Sequence, residues 1–280
     1  MGRSDGRRLK HADPMYTVAA HIMAERNDAL NMIKIYLPVE PMHNYLREQK
    51  KQGRQLSHIG LILSAFVRTV AEYPQLNRFI VNRKLYARDK VTVSMVVLQP
   101  GTEDGETESK MVFDLEDDVF TVQQKIDDYI SHNREIAADN STEKTIRVLV
   151  NTPGLLRVGV KFLKWLDKHG WMPKAIIDAS PFHATMTISN LGSLRTNYIY
   201  HHVYNFGTTS LILTMGNTEE VPSRKKGEIV FERCIPCGIT MDERICHGSY
   251  YAIAFKRFAE YLRDPSKLEG PPAVINRDVD

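Results

Sequence analysis

A helix that is apolar on nearly all sides constrains the fold of this chain most. From Ile59 to Tyr73 hydrophobic residues occupy almost every face, while Ser57 is placed to cap the start and Pro74 to end the helix. A helix with this pattern is stable only when other elements enclose it. The chain can supply them, because its 280 residues are 42% apolar and 25% charged. That is the ordinary globular balance, and it excludes a disordered, collagenous or coiled-coil chain.

Helical and β-rich segments follow one another irregularly around this helix. Helices are predicted at 41–54, 121–138, 155–169 and 249–263, and β-rich runs at 78–86, 90–98, 111–115, 146–150, 184–189, 210–215 and 228–240. The runs 78–86 and 90–98 are expected to pair, and residues 101–109 to form a polar surface loop. Because strands and helices do not alternate strictly, an α/β fold with a mixed β-sheet covered by helices is predicted. We expect one domain over residues 15–269, a loose basic arm at 1–14 and an extended tail at 270–280.

The charge balance and the termini exclude several classes of protein. Lys and Arg number 37 against 34 Asp and Glu, a net charge of +3. This bias is too small for a dedicated nucleic-acid binder, so no nucleic-acid partner is expected. The N-terminus lacks the apolar segment of a secretory signal, and no run approaches about eighteen apolar residues. A soluble cytoplasmic protein is therefore predicted.

The cysteines favour a reducing compartment and no metal. Three cysteines cannot build a disulfide framework in a chain of this length. Cys234 and Cys237 form a lone CxxC, and Cys246 with His247 could complete four zinc ligands. Neighbouring strand residues point to opposite faces, so Cys246 and His247 would need a turn to bind one ion. No metal site is expected.

The predicted helix at 155–169 carries a basic stripe, formed by Arg157, Lys161, Lys164 and Lys168. Its opposite face holds Leu156, Phe162, Leu163 and Leu166, which are expected to pack on the core. The stripe is then a solvated face, and no membrane partner is expected. A membrane-surface protein that uses this amphipathic helix is kept as a further hypothesis.

Two short segments could carry chemistry, although each has a local explanation. There is no GxGxxG, no GxxxxGK followed by Ser or Thr, no HExxH and no GxSxG. The segment TISNLGS, residues 187–193, could be a strand that ends in a turn. The segment MDERICHGSYYA, residues 241–252, could be a charged turn before the last helix.

Together, and followed by FKRFAEYLRDPSKLE, these segments resemble the catalytic domain of the dihydrolipoyl acyltransferases of 2-oxo acid dehydrogenase complexes. More distantly they resemble chloramphenicol acetyltransferase. Upstream, LSHIGLILSAFVRTVAEYPQLNRFI is similar to the family's buried helix and the strand after it. The likeness runs from about residue 40 to residue 270. The matching residues are Ser189, Asn190, Gly192, Arg244 and Gly248.

The resemblance implies a two-layer α/β sandwich with a mixed sheet that assembles as a homotrimer, with the active site in a channel between neighbouring subunits. It also implies an acyl-coenzyme A substrate. In the family a histidine takes a proton from the acceptor, and the serine, here Ser189, stabilises the oxyanion. Here Glu243 occupies the histidine position and His247 the position of the motif aspartate, so HxxxDG has become ExxxHG. Candidate catalytic residues are Glu243, Ser189 and His247, while Asn190, Gly192, Arg244 and Gly248 are expected to be structural.

Three functional hypotheses follow. The first is an acyl-coenzyme A-dependent acyltransferase with a rearranged base, either Glu243 or, alternatively, His247 acting as base or orienting Glu243. Burial raises the pKa of carboxyl groups, so a buried glutamate could serve a thiol acceptor. The second is an inactive trimeric scaffold or ligand-binding protein, favoured by the loss of both motif identities. We recognise no lipoyl domain before residue 40 and expect a stand-alone core. The third is the membrane-surface protein. Expected partners are other copies, up to a larger assembly of trimers, and a small-molecule acyl donor and acceptor.

Overall fold

The computed structural model describes residues 3–98, 106–136 and 154–279. The helices are α1 (Pro14–Ile22), α2 (Val39–Lys51), α3 (His58–Glu72), α4 (Val119–Ile136), α5 (Leu155–His169), α6 (Lys174–Ala179) and α7 (Gly248–Arg263). The strands are β1 (Gly6–Arg8), β2 (Leu30–Pro38), β3 (Arg78–Val81), β4 (Lys84–Arg88), β5 (Val91–Leu98), β6 (Glu106–Phe113), β7 (Met186–Asn190), β8 (Leu211–Met215), β9 (Glu219–Lys225) and β10 (Glu228–Asp242). The β-run expected at 146–150 lies outside the described residues.

Helix α3 is the centre of the core, as its sequence predicts. The Ser57 hydroxyl accepts a hydrogen bond from the Gly60 amide at 3.0 Å, which caps the helix. Every residue from Gly60 to Ala71 is buried, and α2, α4 and α7 pack around the helix. The hydroxyls of its buried Ser64 and Thr69 each donate to a helix carbonyl at 2.7 Å. Both hydroxyls of the buried helix are therefore paired within it, as buried polar groups usually are.

The principal sheet is mixed, which confirms the predicted fold class. Its strand order is β2-β10-β8-β7-β5-β6, and β9 pairs with β10 beside it. Strands β5, β7 and β8 run parallel to one another, whereas β10 is antiparallel to both β8 and β2. Helix α7 packs on β2, and α2 packs on β10. The sheet and this helical layer share one apolar core.

The predicted pairing of 78–86 with 90–98 is wrong. The first run is itself a hairpin, because Asn82 and Arg83 both adopt positive φ, 48° and 61°, in a two-residue turn between β3 and β4. This hairpin belongs to a small separate sheet of order β1-β4-β3, while β5 pairs with β6 and β7. The expected loop at 101–109 also needs correction, because residues 106–109 lie in β6.

The two chain ends lie against each other and against the domain. Strand β1 pairs with β4, so the N-terminal arm is not loose at Gly6–Arg8. The Arg7 guanidinium donates to the carbonyl oxygens of Asp278 and Val279 at 3.0 and 2.8 Å. Buried Arg78 pairs with the Asp278 carboxylate, with Nε to Oδ2 at 2.6 Å. The boundaries of the single domain remain a prediction.

Candidate active site

Ser189 stands near the end of β7, one residue before the TISN segment leaves the sheet. Its side chain is half-buried and makes no hydrogen bond with another described residue, so its hydroxyl is available as a donor. The chain then turns into a short 3-10 helix, Leu191–Leu194. A Cβ on Gly192 would lie 2.6 Å from the Gly216 carbonyl oxygen, so glycine is required there. Asn190 and Gly192 therefore lie in the turn that follows the serine.

Glu243 opens the turn that follows β10. Its backbone amide donates to the Ala29 carbonyl at 2.8 Å, which fixes the turn against the start of β2. Its side chain is half-buried, and no described residue forms an ion pair or hydrogen bond with its carboxylate. This carboxylate is free to accept a proton or a hydrogen bond from a substrate.

Asp242, which the sequence interpretation missed, holds the motif arginine. Arg244 donates from Nε to Oδ1 and from Nη2 to Oδ2 of Asp242, both at 2.8 Å. Arg26 reaches the same carboxylate from Nε at 3.3 Å, and all three residues are buried. A buried guanidinium needs such a partner, since an unpaired charge is costly away from water. The only sequence signal was one more acidic residue, two positions before Arg244.

His247 lies outside this charged cluster. Its exposed ring stacks on Tyr16, with 4.8 Å between the ring centroids. It immediately precedes α7, which begins at the exposed Gly248. The Tyr251 hydroxyl of this helix donates to the Asp242 carbonyl at 2.8 Å and ties helix and turn together. Arg244 therefore has its carboxylate partner in Asp242, not at position 247, where the resemblance places the motif aspartate.

The register of the sheet keeps Ser189 and Glu243 of one chain apart. Ser189 is level with Thr214 of β8, which is level with Gly238 of β10. Glu243 follows Gly238 by five residues, so a rise of about 3.4 Å per residue separates the two levels by about 17 Å. Two strand spacings of about 4.8 Å add to this distance. The two candidate residues lie at opposite ends of the sheet.

A basic cleft adjoins the turn that holds Glu243. It has a volume of about 370 Å³ and is bordered by Arg26 and Arg244. Arg83, Lys164 and Lys168 add three further cations to its lining. Glu25 and Asp167 also line the cleft, and Asp167 is paired with Arg3. The five cations outnumber the two carboxylates, so the cleft suits a phosphorylated ligand.

The cysteines are free and buried. Burial raises the pKa of the Cys237 and Cys246 thiols above its usual range, which makes both poor nucleophiles. Within the described ranges, no three His, Cys, Asp or Glu residues are grouped so that they could hold a metal ion. No helix in residues 3–98, 106–136 or 154–279 has the length and apolarity that crossing a bilayer requires.

Part of the chain matches the sequence model of a known protein family. Residues 182–269, less than half of the chain, match the family model of the 2-oxoacid dehydrogenases acyltransferase (catalytic domain). Comparison with curated protein sequences gives no match.

Solved structures resemble nearly the whole chain. A probable dihydrolipoamide acetyltransferase from Listeria monocytogenes is 13% identical, with a TM-score of 0.57 over 94% of this chain and 97% of that one. The cubic core of a pyruvate dehydrogenase multienzyme complex is 15% identical, with a TM-score of 0.58 over 90% and 89%. A chloramphenicol acetyltransferase is 12% identical, with a TM-score of 0.54 over 92% and 99%.

The resemblance found in the sequence is thus confirmed: residues 182–269 match the acyltransferase catalytic domain of the 2-oxoacid dehydrogenases, and the chain has the fold of those catalytic cores and of chloramphenicol acetyltransferase.

Proposed function

We propose that this protein is an acyl-coenzyme A-dependent acyltransferase whose active site forms between copies of the chain in a homotrimer. The observation that carries the proposal is the separation of two free polar side chains. Ser189 and Glu243 match the family's oxyanion and base positions, yet they lie at opposite ends of one sheet. Each interface of a cyclic trimer joins two different surfaces of neighbouring copies, so such an assembly can bring the two separated residues together.

In the proposed reaction Glu243 of one copy removes the proton from a thiol acceptor. The sulfur then attacks the carbonyl carbon of the acyl thioester and forms a new C–S bond. Ser189 of the neighbouring copy donates a hydrogen bond to the oxyanion that develops. When the intermediate collapses, the C–S bond to coenzyme A breaks and the leaving thiolate takes the proton from Glu243. The products are the acylated acceptor and free coenzyme A.

The assembly would also improve Glu243 as a base. In a single copy its side chain is half-buried and therefore still partly in contact with water. A neighbouring copy that covers the turn would remove that water and favour proton uptake by the carboxyl group. His247, exposed and stacked on Tyr16, is the less suitable base, although it could orient a substrate group beside Glu243.

The basic cleft is the proposed place for the phosphates of coenzyme A. Lys164, Lys168 and Arg83 line it and have no ion-pair partner among the described residues. Binding of coenzyme A should then weaken as salt is raised. No metal takes part in the proposed reaction. Whether trimers build a larger cage, as in the cubic core among the similar structures, is a further property to measure.

A second candidate function is an inactive trimeric scaffold or ligand-binding protein. The replacement of the family histidine by Glu243 favours it, because a carboxylate in contact with water is a weaker base than an imidazole. The free hydroxyl of Ser189 favours the enzyme, since a scaffold has no need of an oxyanion donor. Calorimetry with a panel of acyl-coenzyme A thioesters tests the ligand: heat and salt-sensitive binding are expected, and their absence would leave the scaffold. Release of free coenzyme A in the presence of a thiol acceptor then separates the enzyme from an inactive ligand-binding protein.

Subunit complementation tests the shared site directly. Ser189→Ala and Glu243→Gln chains, each expected to be inactive alone, are co-expressed with different tags and the mixed oligomers are isolated. Each mixed trimer contains one site that has an intact residue from both neighbours, so the isolated mixed trimers should recover about a third of the wild-type rate. Sedimentation of the protein as a monomer, or no recovery of activity in the mixture, would contradict the proposal.

A further inference from the structure

Helix α5 lies on the surface and touches the domain along one face only. Asp167 is its single buried residue, and it accepts a hydrogen bond from Arg3 Nη1 at 2.8 Å. The sequence predicts that Leu156, Phe162, Leu163 and Leu166 pack on the core. That prediction is wrong for Leu156 and Phe162, which are exposed.

An apolar row runs along the outer side of α5. Val158, Phe162 and Trp165, spaced by four and three residues, are 64%, 55% and 46% exposed. Trp171, just beyond the helix, extends the row and contacts Trp165 edge-on, with 5.1 Å between the ring centroids. A row of this kind is unfavourable in water, because large apolar side chains at helical spacing gain from burial against another surface.

A basic row lies directly beside the apolar row. Within it, Arg157, Lys161 and Lys164 immediately precede the exposed Val158, Phe162 and Trp165, and Lys168 continues the row one turn further. The only acidic residue of the helix, Asp167, points away from both rows into its pairing with Arg3. The outer surface of α5 therefore combines apolar and aromatic groups with uncompensated positive charge.

We propose that α5 docks this protein on an anionic membrane surface, lying in the plane of the lipid headgroups. An interfacial helix has this composition: a Lys- and Arg-rich face beside a face with Trp, Phe and aliphatic residues. Tryptophan is favoured at that depth, where its ring meets both acyl chains and headgroups. The four cations of the basic row have no carboxylate partner among the described residues, so they complement the charge of anionic lipid headgroups. Lys164 and Lys168 also line the cleft proposed for coenzyme A, whereas Arg157 and Lys161 do not, so changes at Arg157 and Lys161 test the membrane proposal without the acyltransferase function.

The chain carries its own reporter for the test. Its two tryptophans, Trp165 and Trp171, both lie on the apolar row. Vesicles of phosphatidylcholine with phosphatidylserine should shift the tryptophan emission to shorter wavelength and carry the full-length protein into the pellet. Vesicles of phosphatidylcholine alone should do neither, and added salt should weaken the sedimentation.

Two variant pairs separate the contributions of charge and apolar contact. Arg157→Gln with Lys161→Gln, which leaves the cleft lysines intact, should weaken binding about 25-fold, from about fivefold for each cation. Val158→Ser with Phe162→Ser should abolish the emission shift. The matched controls are Lys50→Gln with Lys51→Gln on α2 and Ile229→Ser with Phe231→Ser on β10. All four control positions are exposed, and those changes should leave vesicle binding unchanged.

Three results would overturn the proposal. Absence of both sedimentation and emission shift with anionic vesicles is the first. Equal binding to neutral vesicles, unaffected by the Arg157 and Lys161 changes, is the second. The third is tryptophan emission that is already at short wavelength and shielded from acrylamide without vesicles, because another copy would then cover the apolar row.

Discussion

At the scale of single residues, Asp242 supplies the carboxylate partner that Arg244 of the altered motif needs. Arg244 is already paired with Asp242 through two hydrogen bonds of 2.8 Å, so an aspartate at position 247 is not needed to neutralise it. In the proposed reaction the ExxxHG motif then departs from the family pattern at one functional position, that of the proposed base Glu243. His247 is left as an exposed ring stacked on Tyr16.

We expect the Glu243→His single variant to transfer an acetyl group to a thiol at about the same rate as the Glu243→His, His247→Asp double variant. A neutral imidazole accepts protons near neutral pH, and Arg244 needs no new partner. Steady-state transfer rates for both variants and the parent provide the measurement. If the parent is already active and Glu243→His lowers its rate, glutamate is the evolved base; if only the double variant is active, the assigned role of Asp242 is wrong.

Asp242→Asn should lower the free energy of unfolding by about 3–5 kcal/mol, because two buried guanidiniums would lose their shared counter-charge. Glu243→Gln is the matched control: it is the neighbouring carboxyl-to-amide change, at a half-buried side chain without an ion pair, and should change stability by less than about 0.5 kcal/mol. Urea denaturation of both variants tests this. Similar stabilities would show that the cluster contributes little.

Lys110 should make stability depend on alkaline pH. Its ammonium donates to the Ile177 and His183 carbonyls, but burial lowers the pKa of Lys110 to about 8. Between about pH 8 and the unfolded value of about 10.4, the unfolded chain binds the extra proton, so this residue contributes stability that rises with pH. Wild type should therefore gain stability relative to Lys110→Met across that window. A constant difference in unfolding free energy between the two would contradict the shift.

At the scale of elements, the sequence predicted best those helices and strands whose caps and residue pattern lie within the element itself. Helix α3 was predictable because its caps and its apolar pattern lie within the helix itself. The β3–β4 hairpin was missed because Asn82 and Arg83 take positive φ without a glycine to announce the turn. For α5 the periodicity gave the correct bounds, but it could not tell which elements would cover the apolar side.

Strand β10 depends on a close crossing by the segment at 195–209. A Cβ on Gly238 would lie 2.5 Å from the Ile199 carbonyl oxygen and 2.6 Å from the Tyr198 ring. Gly238→Ala should therefore displace this segment and cost about 1–3 kcal/mol of stability. Gly159→Ala on α5 is the control, since its Cβ meets no atom within 4 Å and alanine favours a helix. If thermal melts show that both changes stabilise the protein, the segment at 195–209 moves away from position 238 without a cost in stability.

At the scale of the whole molecule, the sheet register decides how the candidate site can be assembled. The sequence supplied Ser189 and Glu243 through the family resemblance, and their matching motifs were recognisable without coordinates. Their separation within one chain was not readable from the sequence, because it depends on the alignment of β7, β8 and β10 across the sheet. Asp242 was equally hidden, since its partner Arg26 is distant in sequence and meets it only in the fold.

Because the Arg7 guanidinium bonds the backbone at Val279, residues near both ends of the described chain lie together. A short peptide that joins them would close the backbone into a ring without unwinding β1. Closing the backbone should stabilise the protein by about 2–4 kcal/mol, since a ring has fewer unfolded conformations than an open chain. Reopening the ring between Lys226 and Gly227, in the exposed turn of the β9–β10 hairpin, should remove that gain while the fold persists. The denaturation midpoints of the ring, the permutant and the parent provide the measurement. A ring that is no more stable than the parent would mean that the joining peptide strains the fold.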